Sequence, residues 1–234
     1  MNLSGKTIIV TGASDGIGKQ VALKLSVQKC NLVLIARADK KLADVAKEIA
    51  KAGLTVKTYP CDIKNTAELT TTIKKITADF GSFDGLVNVA GIWQKLMPLE
   101  EISAEVVDDV ITTNLTALIH TTRLCLPMLK SQPEAVIINV SSKSGMVAQA
   151  GQSVYTASKF GVRGFTEVLK VDLKDTKVRV AGVYQSGTNT QMFAKTGETF
   201  DTNKLTDPAD LAEAIVFMMT RPAKIWLHEI KVEY

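Results

Sequence analysis

Short runs of consecutive apolar residues alternate along the chain with longer stretches of helical period. Lys6 to Val10, Leu32 to Ile35, Leu54 to Tyr59, Leu86 to Ala90, Ala135 to Val140, Val178 to Val183 and Trp226 to Val232 read as strands. Between the first two, Ile17, Val21 and Leu25 share one helical face. Leu42, Val45, Ala46, Ile49 and Ala50 then follow at i, i+3, i+4, i+7 and i+8, with Gly53 as the expected stop of that helix. Asn65 with Glu68 three residues on has the form of a capping box opening a helix through Phe80. Residues from about Ser103 to Lys130 read as one long helix, and Tyr155 to about Leu173 as another. Asp207-Pro208, a cap followed by proline in the first turn, opens a last helix to about Thr220.

The strands are continuous apolar runs, as burial on both faces requires. Strands alternating with helices predict right-handed crossovers and a doubly wound parallel β-sheet of the α/β class, covered by helices on both faces. No linker, repeat or low-complexity segment interrupts residues 1–234, so one domain is expected. The long irregular stretch is Ser186 to Thr206, of a length often used for an active-site lid.

Composition narrows the function. With 46% hydrophobic and 22% charged residues the chain can build a core, which excludes wholesale disorder. The net charge of +4 comes from scattered Lys and Arg, and the longest basic runs are the pairs Lys40-Lys41 and Lys74-Lys75. A nucleic-acid partner would need a clustered stripe, so none is expected. No apolar run approaches the ~18 residues of a membrane span, and residues 1–10 lack the pattern of a signal peptide. A cytoplasmic protein without membrane attachment is expected. Cys30, Cys61 and Cys125 are far apart and lack metal-ligand spacing, so they read as reduced structural thiols, and no metal site is expected. His120 and His228 are isolated and read as structural.

Thr11-Gly12-Ala13-Ser14-Asp15-Gly16-Ile17-Gly18 joins the first strand to the first helix. Glycines there permit a tight turn and close approach of backbone to a pyrophosphate, whose charge sits at the helix N-terminus. An acid that holds the adenosine ribose of NAD would stand at the end of the second strand. This chain has Ala36-Arg37 there. A guanidinium suits a 2′-phosphate through two charge-assisted hydrogen bonds, so NADP(H) is favoured and NAD(H) remains possible.

Tyr155 and Lys159 stand four residues apart on one helical face. A nearby cation lowers the pKa of a phenol, which suits a tunable acid/base. Ser142, 13 residues before Tyr155, places a hydroxyl at the carboxyl edge of the sheet, where ligands bind in such folds.

With these motifs the chain resembles the short-chain dehydrogenase/reductases, over nearly its whole length. Thr11 to Gly18 is similar to the family's T-G-x-x-x-G-I-G cofactor loop, with Gly12, Ser14, Asp15, Gly16, Ile17 and Gly18 at the dinucleotide. Cys61-Asp62-Ile63 resembles the segment that contacts adenine, giving Asp62 and Ile63. Asn88-Val89-Ala90-Gly91 resembles N-N-A-G, giving Asn88, Ala90 and Gly91, with Val89 in a packing role. Asn114 matches the helical Asn that holds a water in a proton relay, and Ser142, Tyr155 and Lys159 match the catalytic Ser, Tyr and Lys. Thr190 matches the Thr that touches the nicotinamide carboxamide, and Thr188 falls in the same cofactor segment.

Two positions depart from the pattern. Gln185-Ser186 stands where the family has Pro-Gly, and Asp15 stands where many NADP-preferring members carry a basic residue. The resemblance implies a Rossmann-like fold, hydride transfer between nicotinamide and a small carbonyl or alcohol, and a homodimer or homotetramer. The dimer would pair the helices carrying Leu118, Leu124, Leu126, Phe165 and Leu169. Trp93, Met97, Met146, Met192 and Phe193 flank the expected pocket and suit a partly apolar substrate. A non-catalytic dinucleotide sensor or scaffold on the same fold is the alternative. The complete set Asn114, Ser142, Tyr155 and Lys159 argues against it. The longer nucleotide-sugar branch would need a further substrate domain.

Overall fold

A computed structural model of the chain describes residues 1–50, 54–222 and 224–233. The seven strands are β1 (Thr7–Thr11), β2 (Asn31–Ala36), β3 (Val56–Pro60), β4 (Gly85–Asn88), β5 (Ala135–Val140), β6 (Val178–Gln185) and β7 (Glu229–Val232). They form one sheet in the order β3-β2-β1-β4-β5-β6-β7, with every pairing parallel. The helices are α1 (Gly16–Val27), α2 (Asp39–Ala50), α3 (Thr66–Phe80), α4 (Ala104–Ile111), α5 (Ala117–Lys130), α6 (Ser153–Asp172), α7 (Gln191–Ala194) and α8 (Pro208–Thr220). No helix among the described residues is long and apolar enough to cross a membrane.

Alternate residues of each strand face opposite sides of the sheet, so two cores form. On one side Ile8, Val10, Leu32 and Leu34 pack with Val21 and Leu25 of α1, Leu42 of α2, and Leu211 and Ile215 of α8. On the other, Ile9, Val33, Leu86 and Ile137 pack with Leu69 of α3, Cys125 and Leu129 of α5, and Leu169 of α6. The strand order reverses between β1 and β4, and this opens a crevice at the carboxyl ends of the strands.

Several elements depart from the sequence expectations. The single helix expected over residues 103–130 is divided by a π-turn at Thr112–Thr116. Asn65 caps α3 through its side chain, accepting from the N–H of Ala67 and Glu68, but Glu68 reaches to the N–H of Asp62 instead of closing the box. The last strand starts at Glu229, because Trp226 is used differently. Its indole donates to the Val180 carbonyl at 3.1 Å, and the Arg179 guanidinium lies 4.7 Å from its ring. The expected stop at Gly53 lies outside the described residues. The three cysteines are buried free thiols, with burial pushing Cys30 and Cys125 up to about 12.

Of the residues expected at a dimer surface, two are buried within the subunit and three are half-buried. Leu118 and Leu169 are buried, and Leu124, Leu126 and Phe165 pack against the second core. The exposed apolar face of α6 is instead Phe160, Val168 and Val171, which are 41%, 59% and 65% exposed. Helical periodicity marks an apolar face but cannot say which of two apolar faces meets the sheet.

Candidate active site

A cleft of about 580 Å³ runs along the carboxyl edge of β1, β2 and β4. Its floor is the turn between β1 and α1. Gly12 adopts φ +68°, and a Cβ there would lie 2.9 Å from Ala90 Cα. A Cβ on Gly18 would lie 2.2 Å from the Gly12 carbonyl oxygen. The turn therefore sits against both the β4 loop and its own helix at distances only glycine permits. Asp15 caps α1, accepting the Gly16 N–H at 2.8 Å. Gly12, Ser14, Asp15, Gly16, Ile17 and Gly18 all line the cleft.

The end of the cleft beside β2 and β3 is lined by Ala36 and Arg37 after β2, by Asp62 and Ile63 after β3, and by Lys41 of α2. The Asp15 carboxylate holds Lys41 at 3.1 Å and Lys195 at 4.0 Å. Burial works to raise the Asp15 carboxyl, but the hydrogen bonds from Lys41 and the Gly16 N–H hold it below the usual carboxylate range. The acid that departs from the family pattern is thus matched by two lysines. Sequence reading missed both, although Lys41 lies one helical turn past Arg37.

Ala90 and Gly91 line the cleft, and the Thr11 hydroxyl receives the N–H groups of Val89 and Ala90 at 3.1 and 3.3 Å. Asn88 is buried at the end of β4. Its amide donates to Thr122 Oγ1 at 3.1 Å and to Asn139 Oδ1 at 2.9 Å, so it ties β4 to α5 and β5 beneath the cleft.

Asn114 lies in the π-turn and is 0% exposed. Its oxygen accepts the Ile92 N–H at 2.7 Å, and its nitrogen donates to the Ile92 carbonyl at 3.0 Å and to Ser158 Oγ at 3.1 Å. The extra residue of a π-turn shifts helical register, and such turns cluster at functional sites. Here it turns Asn114 toward the β4 loop and α6. A Cβ on Gly91 would lie 3.1 Å from Asn114 Oδ1 and 3.6 Å from Lys159 Nζ. Gly91 therefore leaves open the space these two groups share.

Ser142 follows β5 and accepts the Ser144 N–H at 3.1 Å. Tyr155 and Lys159 rise from the first two turns of α6, both buried, with Lys159 Nζ 5.6 Å from the Tyr155 ring centroid. The nearest hydrogen-bond acceptor of Lys159 is the Val140 carbonyl, at 3.5 Å. Burial pushes the Tyr155 phenol up to about 12, opposed by the nearby Ser142 hydroxyl. Burial also lowers the Lys159 ammonium to about 8. The sequence expectation was that the ammonium lowers the phenol. In the folded chain desolvation outweighs that attraction, because both groups are sealed without a counter-charge.

A second cavity of about 360 Å³ lies on the other side of Tyr155, with Ser142, Trp93, Gln185, Phe193 and Phe200 among its walls. Trp93 meets Tyr155 edge-on at 4.6 Å and Phe193 at 5.1 Å, and Phe193 contacts Phe200 at 4.6 Å. Glu198 pins this roof, accepting the Trp93 indole N–H, the Leu96 N–H at 3.1 Å and the Thr196 hydroxyl at 3.2 Å. Thr190 lies at both cavities and caps α7, whereas Thr188 lies at the second cavity alone and bridges to Thr206. Met192 lines both cavities, but Met97 and Met146 line neither. Glu198 escapes sequence reading because nothing local distinguishes it from other surface acids.

Residues 6–201 match the family model described as short chain dehydrogenase. The chain is 41% identical over 179 residues to a D-beta-hydroxybutyrate dehydrogenase of Cupriavidus necator, covering 75% of this chain and 68% of that protein. It is 32% identical over 233 residues to an uncharacterized oxidoreductase of Staphylococcus saprophyticus, covering 99% and 98%. Among solved structures it resembles a metagenomic short-chain oxidoreductase in complex with NADP, at 30% identity and a TM-score of 0.86, covering 99% of this chain and 98% of that one.

Proposed function

The chain belongs to the short chain dehydrogenase family, and from that premise we propose that it is an NADP(H)-preferring oxidoreductase of a small carbonyl or alcohol. One domain would bind the dinucleotide and perform the chemistry. The observation that carries this reading is the position of Tyr155 and Ser142. Both side chains line the wall of the second cavity, beside the glycine-floored cleft.

The cleft fits a dinucleotide. Gly12 and Gly18 leave bare backbone at the N-terminus of α1, where a pyrophosphate is stabilised by N–H groups and the helix dipole. Arg37 and Lys41 lie at the adenine end, with Asp62 and Ile63 beside them. Thr190 would meet the carboxamide. The crystallised metagenomic relative holds NADP, which agrees with a 2′-phosphate at Arg37. Once bound, the nicotinamide supplies or accepts the hydride at the substrate carbon.

Tyr155 keeps its proton at neutral pH, since its pKa is about 12. In reduction it donates that proton to the oxygen of the carbonyl as charge develops there, and in oxidation it takes the proton back. Ser142 holds the same oxygen and offsets its charge. Lys159, titrating at about 8, is mostly cationic at pH 7 and lies close enough to favour the phenolate formed after transfer. It would also bind the nicotinamide ribose. Asn114 fixes the Ile92 backbone beside Lys159 and leaves room at Gly91 for a proton path. The exposed Phe160, Val168 and Val171 of α6 support a homodimer or homotetramer built on that helix.

The experiment is a panel of ketones, aldehydes and alcohols followed at the absorbance of NADPH. Turnover that disappears in Tyr155→Phe supports the reading. A protein that binds NADPH tightly and oxidises it with no member of the panel would instead fit the sensor alternative.

A further inference from the structure

The second cavity is not uniformly apolar. Trp93, Phe193, Phe200 and Leu205 form one side. Its lining also includes Gln185 and Ser186, the two residues that replace the expected Pro-Gly. Gln185 ends β6 and is 9% exposed. Its side-chain oxygen and the Ser186 hydroxyl are both buried without a hydrogen-bond partner among the described residues. Buried polar groups are nearly always paired, and leaving one unpaired is costly. The two orphan atoms are turned into the wall of a cavity that both residues line, which leaves adjacent polar side chains there for a polar ligand group to complete. Rotation of either side chain about its last torsion would bring a donor to that group.

Lys143 is the one charged side chain lining this cavity among the described residues. It follows Ser142 directly in the chain and lines the same cavity as Ser142 and Tyr155. Its partner is Glu233, 3.1 Å away, just past β7. The β6–β7 register places Gln185 opposite Val232, and the Ser186 N–H donates to the Val232 carbonyl at 2.9 Å. Lys143, Ser186 and Glu233 therefore converge near the carboxyl ends of β6 and β7. The ion pair is largely exposed, with side chains 42% and 60% accessible, so an incoming anion can exchange with Glu233 at little cost.

We propose that Gln185, Ser186 and Lys143 form a subsite for a carboxylate carried by the substrate, making short keto acids and hydroxy acids the substrate class. This rests on the oxidoreductase reading above. The amide and hydroxyl donate hydrogen bonds, and the ammonium supplies the charge that distinguishes an acid from its neutral ester. The cavity of about 360 Å³ is of a size for a small substrate. Ser142, Lys143, Gln185 and Ser186 line this one cavity, so carbonyl and carboxylate belong to a single small molecule.

The test has a binding arm and a turnover arm. Butanoate and butanamide, which cannot react, are titrated calorimetrically against the protein with and without NADP⁺. Butanoate is expected to bind at least tenfold more tightly than the amide, with the difference lost in Lys143→Met and increased in Glu233→Gln. For turnover, kcat/KM is compared for 3-oxobutanoate and its methyl ester, alongside 2-oxobutanoate and butanone. The acids are expected to lead their neutral counterparts by tenfold or more, and both Lys143→Met and Gln185→Leu should lower that ratio at least fivefold. Neutral ketones turned over as well as the acids, with no preference for butanoate, overturn the subsite and leave the oxidoreductase reading standing. Lys143-dependent binding of butanoate without turnover of any carbonyl or alcohol leaves the subsite standing and overturns the oxidoreductase reading. Absence of both preferences overturns the subsite, whatever other substrates the protein takes.

Discussion

Gln94 accepts the backbone N–H of Tyr155 at 2.9 Å from a loop 61 residues earlier in the chain. The same oxygen takes the N–H of Val154 at 3.1 Å, while its nitrogen donates to the Gly151 carbonyl at 3.1 Å. The first N–H groups of a helix have no partner within it, and Gln152, the cap residue of α6, makes no side-chain cap hydrogen bond. Gln94 therefore does the work of a cap from a distance and sets the start of the helix that carries Tyr155 and Lys159. Gln94→Leu should cost about 1–2 kcal/mol of stability, the usual loss of a cap. It should also lower kcat by roughly tenfold, a typical effect of misplacing a reacting group, with KM for NADPH changed less than twofold. An equal loss in kcat and cofactor affinity would mean general damage rather than misplacement of Tyr155.

Tyr155→Phe should reduce kcat to background and leave NADPH binding nearly unchanged, because the ring keeps its edge contact with Trp93 and only the proton donor is removed. Single-turnover absorbance and fluorescence titration measure the two separately. Residual activity within tenfold of wild type contradicts the assignment.

At the adenine end, Arg37→Ala should raise KM for NADPH far more than for NADH. A charged hydrogen bond is worth ~1.5–3 kcal/mol, or roughly tenfold to a hundredfold in affinity. Asp15 would reduce this preference if it stood free, but it is engaged with Lys41 and Lys195. Ala36→Asp should turn the preference toward NADH. The check is kcat/KM for both cofactors in wild type and the two variants. An unchanged ratio in Arg37→Ala removes the phosphate role.

Lys159 gives a pH signature. Its folded pKa of about 8 lies below its ordinary 10.5, so between these values the unfolded chain holds a proton that the folded chain has released. Stability therefore rises with pH across that window, and below it the buried charge costs on the order of 3 kcal/mol. Tyr155, raised from 10.0 to about 12, acts in the opposite sense, and stability falls as pH rises through that interval. Lys159→Met should abolish activity yet raise the neutral-pH melting temperature and flatten the rise between pH 8 and 10.5. Denaturant melts of wild type and variant across that range decide it, and a variant less stable at pH 7 would refute it.

Val168→Glu places a charge on the exposed apolar face of α6. If that face pairs two subunits, the variant should be monomeric by light scattering at micromolar concentration where the wild type is a dimer or tetramer. A monomeric wild type rules out the assembly.

The local pattern carried most of the architecture. Continuous apolar runs marked β1, β2, β4, β5 and β6, because strands buried on both faces must be apolar at every position. The glycines of residues 12–18 and the four-residue spacing of Tyr155 and Lys159 were likewise legible, since a turn conformation and a helical face are encoded within a few residues. The similarity of Asn88 to a family motif suggested a cofactor contact, but it said nothing of the partners of its amide, Thr122 and Asn139, 34 and 51 residues away.

Gln94, Glu198 and the pairing of Asp15 with Lys41 and Lys195 depend in the same way on which segments meet in space. No period in the sequence records such meetings. The helix of residues 103–130 kept its apolar pattern through the π-turn at Thr112–Thr116, so its break was invisible as well. The charge states of Tyr155 and Lys159 were decided last of all. Spacing places an ammonium near a phenol, but the pKa of each follows from how much water is removed around it. That is a property of the assembled core alone.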